Sequence, residues 1–264
     1  MNRVGEHPVP VGPLAVRWRA YELPELRAGT SAPARVALRN DGSATWRGNT
    51  RLSYHWLDDR GNAIVWDGPR TAFPGPVAPG DEVELRVDLR APRPPGPYRL
   101  AFDLVEEHRF WFAEVGSAPL ELDVAVRPRI EERRLAVVVH GGASGETAAA
   151  LAAQEEPIVE DDAVATAHLV AGTVPAPDWS GRILAAHAEG WEAVGGSIES
   201  RDRALRPWAP GGGRNPSFAE PLLLPSLLAG VDPVEHLGLP AYDGEEGLFD
   251  GRIRLRLPRG RRRG

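Results

Sequence analysis

The segment from Leu52 to Gly68 reads LSYHWLDDRGNAIVWDG. Two apolar runs flank the polar stretch Asp58-Asp59-Arg60-Gly61-Asn62, which is the pattern of a β-hairpin. In the first run Leu52, Tyr54 and Trp56 alternate with Ser53 and His55. Successive side chains of a strand point to opposite faces, so the three large apolar groups share one face. Ser53 and His55 are then expected on the other.

The same short period recurs through residues 1 to 127. Strand-like runs fall at Leu14 to Tyr21, Ala34 to Leu38, Glu82 to Leu89, Tyr98 to Val105, Arg109 to Phe112 and Leu120 to Val126. Glu82 to Leu89 alternates cleanly, with Val83, Leu85, Val87 and Leu89 inward and Glu84, Arg86 and Asp88 outward. Gly29 to Pro33, Asn40-Asp41-Gly42, Pro79-Gly80 and Pro92 to Pro97 supply the turns. No helical period of any length interrupts them. Many short strands with frequent turn signals predict a β-sandwich. Within it, Gly96-Pro97-Tyr98 has the form of a tyrosine corner, in which a phenol at the start of a strand bonds back to the backbone. Trp46, Trp56, Trp66 and Trp111 can each bury about 150–250 Å² and so replace the disulfide that such sandwiches often carry.

Asn40-Asp41-Gly42-Ser43-Ala44-Thr45-Trp46 is similar to the N-x-G-x-x-x-W signature of the four-tryptophan Ig-like domain of autophagy receptors and bacterial relatives. Ala78-Pro79-Gly80, Ala91-Pro92 and Gly96-Pro97-Tyr98 follow in that family's order. The resemblance covers residues 14 to 127. In bacteria such domains look like accessory modules, so the resemblance implies interaction and not catalysis.

The aromatic residues of this half are of the kind that stack on a pyranose, but the simplest place for a tryptophan in a disulfide-free sandwich is the core. Phe110-Trp111-Phe112 is the informative triplet. A strand must point Trp111 away from both phenylalanines, so its face is either covered or an exposed aromatic patch. Glu106-Glu107-His108 before it is a candidate polar rim. Trp66, beside Asp67 and Arg70 at the far end of the hairpin, is the hairpin aromatic expected to make contacts. Trp66, Arg70, Glu107 and Trp111 are therefore the candidate ligand-binding residues of this half.

Composition narrows the classes. Cysteine is absent, which removes disulfides, thiol nucleophiles and zinc–thiolate sites. Lysine is absent too, a feature that genome base composition explains. A net charge of −6 argues against nucleic acid as a partner of the whole protein. The first residues, MNRVGEHPVPVGPL, contain no apolar run of the secretory type. No run approaches the ~18 apolar residues of a membrane span. The expected location is the cytoplasm. Arg252 to Arg263 holds seven arginines and no acid. It is expected to be a solvated basic tail, able to touch acidic surfaces.

Composition shifts at residues 127 to 134, RPRIEERR followed by apolar sequence, and residues 128 to 134 read as a linker. Leu135 to Val139 is then a continuous Val-rich run, the mark of a buried parallel strand. Glu146 to Gln154 reads as helix, Glu156 to Val159 and Ala163 to Val170 as strands, and Asp178 to Glu192 as a helix. Trp179, Ile183, Leu184, His187 and Trp191 share one face of that helix. Ala193 to Glu199 returns as strand. The order predicts a small α/β domain over residues 135 to 251, with a short mostly parallel sheet. The predicted fold class is thus mainly β plus α/β, an Ig-like sandwich over 1 to 127, a linker, the α/β domain and a tail over 252 to 264.

Three motifs in this half bear on chemistry. His140-Gly141-Gly142 resembles an esterase oxyanion loop, but no G-x-S-x-G nucleophile elbow accompanies it. Glu155, Glu156, Glu160, Asp161 and Asp162 cluster closely, and a solvated loop accounts for them better than a hard cation does. Gly211-Gly212-Gly213-Arg214 is the other candidate ligand-binding stretch, since backbone N–H groups and a guanidinium can hold an anion. It lacks the Lys and Ser/Thr of a P-loop. Val174-Pro175-Ala176-Pro177-Asp178-Trp179 with Ala193 to Ile198 resembles the middle of family-2 glycosyltransferases of the GT-A fold. That family places a metal-binding Asp-x-Asp pair just upstream, where this chain has Val170, Ala171 and Gly172. Without carboxylates a divalent metal is not held and diphosphate charge is not neutralised. The resemblance implies a degenerate relative with no metal, no cofactor and no catalytic residue.

The functional expectation is a non-catalytic accessory or interaction protein of bacterial surface-glycan biosynthesis, whose partner is a glycosyltransferase or a glycan. Two alternatives stand beside it. One is a metal-independent glycosyltransferase using a sugar-nucleotide donor, with Arg214 replacing the cation and Glu199 or Asp178 as base. The other is a purely structural two-domain scaffold.

Overall fold

The structure, a computed structural model, describes residues 1–5, 12–170, 172–200 and 247–257. It is mostly β, with several sheets and two α-helices among the described residues. The chain divides into two units, Met1–Pro128 and Arg129–Gly264.

In the first unit, strands β1 (Asn2–Arg3), β2 (Val16–Glu22), β3 (Ser31–Asn40) and β7 (Glu82–Arg90) form one antiparallel sheet in the order β1-β2-β3-β7. The second sheet runs β10-β8-β4-β5, from β4 (Thr50–Leu57), β5 (Ala63–Val65), β8 (Gly96–Glu106) and β10 (Leu120–Val126). Two short strands border it, β6 (Thr71–Ala72) on β4 and β9 (Phe110–Trp111) on β8. One apolar cluster takes side chains from both sheets, among them Val36, Leu38, Val87, Leu89, Leu52, Tyr54, Trp56, Leu100, Phe102 and Leu104. Their alternation along each strand is what makes a core between two layers. Trp18 joins Trp46 and Trp56 in this cluster, and its indole N–H donates to the Ala118 carbonyl at 3.0 Å.

Local chemistry explains the turns. Asp58 closes the hairpin, its carboxylate accepting from the N–H groups of Arg60 and Asn62 and from the Asn62 side chain, while Gly61 takes a positive φ of 81°. Buried Asn40 donates to the carbonyls of Ala44 and Val77 and accepts from Gly42 N–H. A Cβ on Gly42 would sit 2.2 Å from the Pro13 carbonyl oxygen, so the glycine of the N-x-G-x-x-x-W stretch admits no side chain. Tyr98 Oη donates to the Pro94 carbonyl at 2.6 Å, the bond expected of a tyrosine corner.

The second unit has β11 (Leu135–His140) parallel to β12 (Ala165–Val170), with α1 (Gly145–Ala152) between them in sequence. Ser144 caps α1 by accepting from Thr147 N–H at 3.1 Å. A second sheet, β13-β15-β14, is made by β13 (Val174–Pro175), β14 (Ala193–Ser200) and β15 (Gly247–Leu257), with β14 and β15 parallel. Helix α2 (Trp179–Ala188) buries Trp179, Ile183 and Leu184 with Leu135, Leu169 and Ile253.

Three expectations for this half need correction. Residues 129–134 are bonded into the second unit and do not hang free as a linker: Arg129 N–H reaches the Ala188 carbonyl, Val164 N–H the Arg134 carbonyl, and the Arg133 guanidinium both Glu156 and the Gly181 carbonyl. Glu156 to Val159 contributes only an isolated bridge, Leu135 to Ile158. Residues 252–257 are no frayed tail but the end of β15. Ile253 is buried there, and Arg252 and Arg256 pair outward with Asp250 and Glu146. Gly196 lies against this strand, where a Cβ would come 2.0 Å from the Ile253 carbonyl oxygen.

Candidate functional site

The outward face of β4 and β8 is where the predicted residues converge. Register places Ser53 opposite Asp103 and His55 opposite Ala101, all four pointing away from the sandwich core. Ser53 and His55 are nonetheless buried, His55 to 4% exposure, and Asp103 to 1%. Two pieces of chain cover them.

The first cover is the segment Trp66 to Arg70 after β5. It crosses β4 closely: Gly68 N–H donates to the Tyr54 carbonyl at 3.1 Å, and a Cβ at Gly68 would meet that oxygen at 2.6 Å. The second is β9 with the 3₁₀ turn Phe112–Val115. Its triplet resolves as the strand argument requires. Phe112 enters the core and packs edge-on to Trp46, whereas Trp111 turns to the outer face and is 8% exposed. Trp111 therefore lies on a covered face and is not itself an open patch.

Together they make a layered cluster. The Trp66 indole stacks on the His55 ring, centroids 4.2 Å apart and planes 23° from parallel. Trp111 meets His55 at 4.3 Å and Trp66 at 6.2 Å, both edge-on. His55 Nδ1–H donates to the Trp66 carbonyl, which fixes the ring tautomer and its orientation. The Arg70 guanidinium carbon lies 4.8 Å from the Trp111 ring centroid, in cation–π position. Its N–H groups reach Glu107 Oε1, Ser53 Oγ and the Gly68 carbonyl, each at 2.9 Å, and also Asp67. Ser53 in turn donates to the Gly68 carbonyl at 2.8 Å. Every arm of the guanidinium is held, so the rim of the cluster is fixed in place. Trp66 itself stays 53% exposed.

The electrostatics follow from burial. Desolvation lowers the His55 pKa below its ordinary value, Arg70 adds to this, and the bond to the Trp66 carbonyl and the Asp67 charge oppose it. The ring is neutral at neutral pH. Asp103, bonded to the 3₁₀ turn that follows Trp111, has its carboxyl pushed up to about 7 by burial, with Glu114 adding to the rise. Bonds accepted from Ala113 and Leu104 N–H, at 3.2 and 2.7 Å, limit that rise.

Of the eight residues expected to bind ligand, Trp66, Arg70, Glu107 and Trp111 meet in this cluster, while Gly211, Gly212, Gly213 and Arg214 lie outside the described residues. Sequence reasoning misses Ser53, His55 and Asp103. The one signal for them is polar or ionisable side chains inside strands whose flanks are apolar. In the second unit Asp178 makes an i,i+4 ion pair with Arg182 at 2.6 Å, and that bond holds its carboxyl below the ordinary range. That is the wrong direction for a general base near neutrality. Among the described residues no group of three or more His, Cys, Asp or Glu is placed to hold a metal. No described helix is long and apolar enough to cross a membrane.

Residues 25–117 match the family described as the Ig-like domain from next to BRCA1 gene. The N-terminal domain is Ig-like. No curated protein matches the chain. Among solved structures, a family 123 glycoside hydrolase from Clostridium perfringens aligns at 12% identity over 52% of this chain and 27% of its own, with a TM-score of 0.24. The chain thus spans about a quarter of that enzyme's length. The putative ApaA protein from Bordetella pertussis aligns at 22% identity over 44% of this chain and 93% of its own, with a TM-score of 0.23. TM-scores this low transfer neither architecture nor activity.

Proposed function

We propose that this chain is a non-catalytic interaction protein, accessory to bacterial surface-glycan assembly, whose Ig-like domain makes the contact. The observation that carries the proposal is Trp66. A half-exposed indole is seated flat on a buried histidine and meets a second tryptophan, over which a four-bonded arginine lies. An exposed aromatic on so fixed a base is suited to recognition, because little side-chain freedom remains to be lost on binding. The partner is a glycan or a glycosyltransferase.

The remainder of the chain is read as a small α/β domain. Parallel β11 and β12 joined through α1 support that reading, as does the parallel pair β14 and β15. The absent Asp-x-Asp pair and the ion-paired Asp178 both favour loss of transferase chemistry. The purified full chain, incubated with UDP-glucose, UDP-N-acetylglucosamine or GDP-mannose and Mg²⁺ or Mn²⁺, is expected to give neither hydrolysis nor transfer. Turnover above the protein-free rate would falsify the non-catalytic reading.

A further inference from the structure

We infer that the Trp66 platform binds neutral pyranose chains, an inference that rests on the interaction role proposed above. One face of the indole is stacked on His55 and Trp111 meets it at 73°, while the residue stays 53% exposed, so the ring face turned away from His55 is the one a ligand can reach. A pyranose offers a matching surface. Its axial C–H bonds make one side of the ring flat and weakly positive, and an indole face is flat and carries the negative side of the ring quadrupole.

The rim supplies the polar half of the recognition. Asp67 follows Trp66 in the chain and is tied through Arg70, which lies over Trp111, to Glu107; the side chains of Asp67, Glu107 and Arg70 are 68%, 26% and 28% exposed. Each carboxylate offers several lone-pair directions, and the guanidinium uses only one or two of them. The free lone pairs are acceptors for ring hydroxyl groups. The same rim argues against an anionic ligand. Its charges are one positive and two negative, and the cation is already bonded to both acids. A phosphate or sulfate brought here would meet Asp67 and Glu107 without a free cation.

The geometry also separates a glycan from a protein partner. A stable protein interface takes about 800 Å² from each side, around an apolar centre. Beyond Trp66, the neighbouring exposed apolar side chains are Ile64 and Val65, at 47% and 37%. These three consecutive residues lie on or just after β5, the last strand of the β10-β8-β4-β5 sheet. Val65 pairs across strands with the inward Trp56, so it faces the other side of the sheet from Trp66, and the exposed apolar surface beside the indole is a small patch at the sheet edge, too small for the apolar centre of a protein interface and sufficient for a sugar ring lying on it.

The test is affinity gel electrophoresis of the full chain in gels containing laminarin, mannan or dextran, with dextran sulfate as the charged control. At least one neutral polysaccharide is expected to retard the wild type. Trp66→Ala should weaken that retardation about tenfold or more, and Trp66→Phe should retain most of it. Because Trp66 is half exposed, the thermal midpoint of both variants should stay near that of the wild type, which excludes misfolding as the cause. Three results overturn the inference: no retardation by any neutral polysaccharide, equal retardation of Trp66→Ala, or retardation by dextran sulfate alone that salt abolishes. Any of these leaves the non-catalytic reading standing, since only sugar-nucleotide turnover removes that.

Discussion

Strands β7 and β4 both carry period-two patterns, and their outward faces end in opposite states. In β7, Leu85, Val87 and Leu89 enter the core while Glu82, Glu84, Arg86, Asp88 and Arg90 stand in solvent. In β4, Leu52, Tyr54 and Trp56 enter the core, yet Ser53 and His55 on the other face are buried as well. The difference lies in what crosses each sheet. The charges beside β7 pair across strands at the surface, as in Arg19–Glu82 and Arg35–Glu84. An open cleft of about 550 Å³ on that sheet is lined by the same kind of side chain, including Arg17, Arg19, Glu82 and Glu84. Over β4 lie Trp66 to Arg70 and Trp111, and every polar group beneath them has a bonding partner. A period of two therefore assigns residues to faces; the covering segments decide which face is wet.

The largest effect should separate the two tryptophans of the hairpin. Trp56 is fully buried, and its indole N–H donates to the Arg90 carbonyl at 2.9 Å. Trp56→Ala removes a core aromatic and leaves a cavity, a change that costs about 3–5 kcal/mol. Trp66→Ala removes a half-exposed ring and should cost less than about 1 kcal/mol. Urea denaturation of the two variants measures both. Equal losses would mean that the outer cluster is part of the core and not a platform on it.

The next effect tests the covered face itself, through pH. Asp103 rises from an ordinary 3.8 to about 7. For a carboxyl raised by folding, the favourable contribution is fully present below the unfolded value and is lost as pH climbs through the folded one. Wild-type stability should therefore fall between pH 4 and pH 7 from this group, by something on the order of 4 kcal/mol over the whole window. His55 acts the other way. Its lowered pKa gives stability that is present above the unfolded histidine value and lost on acidification, and His187 behaves alike. Asp103→Asn should remove the first term and leave the second, so that the variant loses stability on acidification where the wild type gains it. Denaturant midpoints at pH 4.5 and 7.5 read the sign, and parallel pH profiles would mean that Asp103 is not desolvated by its cover.

The parts of this molecule that are legible in sequence are those set by neighbours along the chain. The hairpin turn rests on Asp58 and Gly61, the tyrosine corner on Tyr98 and Pro94, and the N-x-G turn on Asn40 and Gly42, all within a few residues. Trp66, Arg70, Glu107 and Trp111 can be named from their flanks, but their meeting depends on the register of β4 with β8 and on a loop that crosses it. His55 and Asp103 owe their environment wholly to that crossing. In an isolated strand pattern each is just an outward polar residue. β15 shows a second kind of failure. Arg252-Ile253-Arg254-Leu255-Arg256-Leu257 alternates as a strand does, but a run rich in arginine draws attention to charge, and the partner β14 lies about fifty residues away in sequence.

The smallest effect belongs to the wet face, and its smallness is the point. Arg35 and Glu84 approach to 3.8 Å with side chains 60% and 51% exposed. In water a pair at that separation is strongly screened, and ordering two long side chains offsets most of the attraction. Glu84→Ala should shift stability by no more than about 0.5 kcal/mol, with little difference between low and high salt. Glu107→Ala on the covered face removes a comparable carboxylate from a guanidinium that is held on all sides. It should cost more, about 1–2 kcal/mol, because Arg70 then keeps its charge beside Trp111 with one fewer acid. Paired urea titrations compare the two. If Glu84→Ala proved the costlier, the charges beside β7 would be holding the sheet together, and the distinction between a solvated face and a built one would fail at its simplest point.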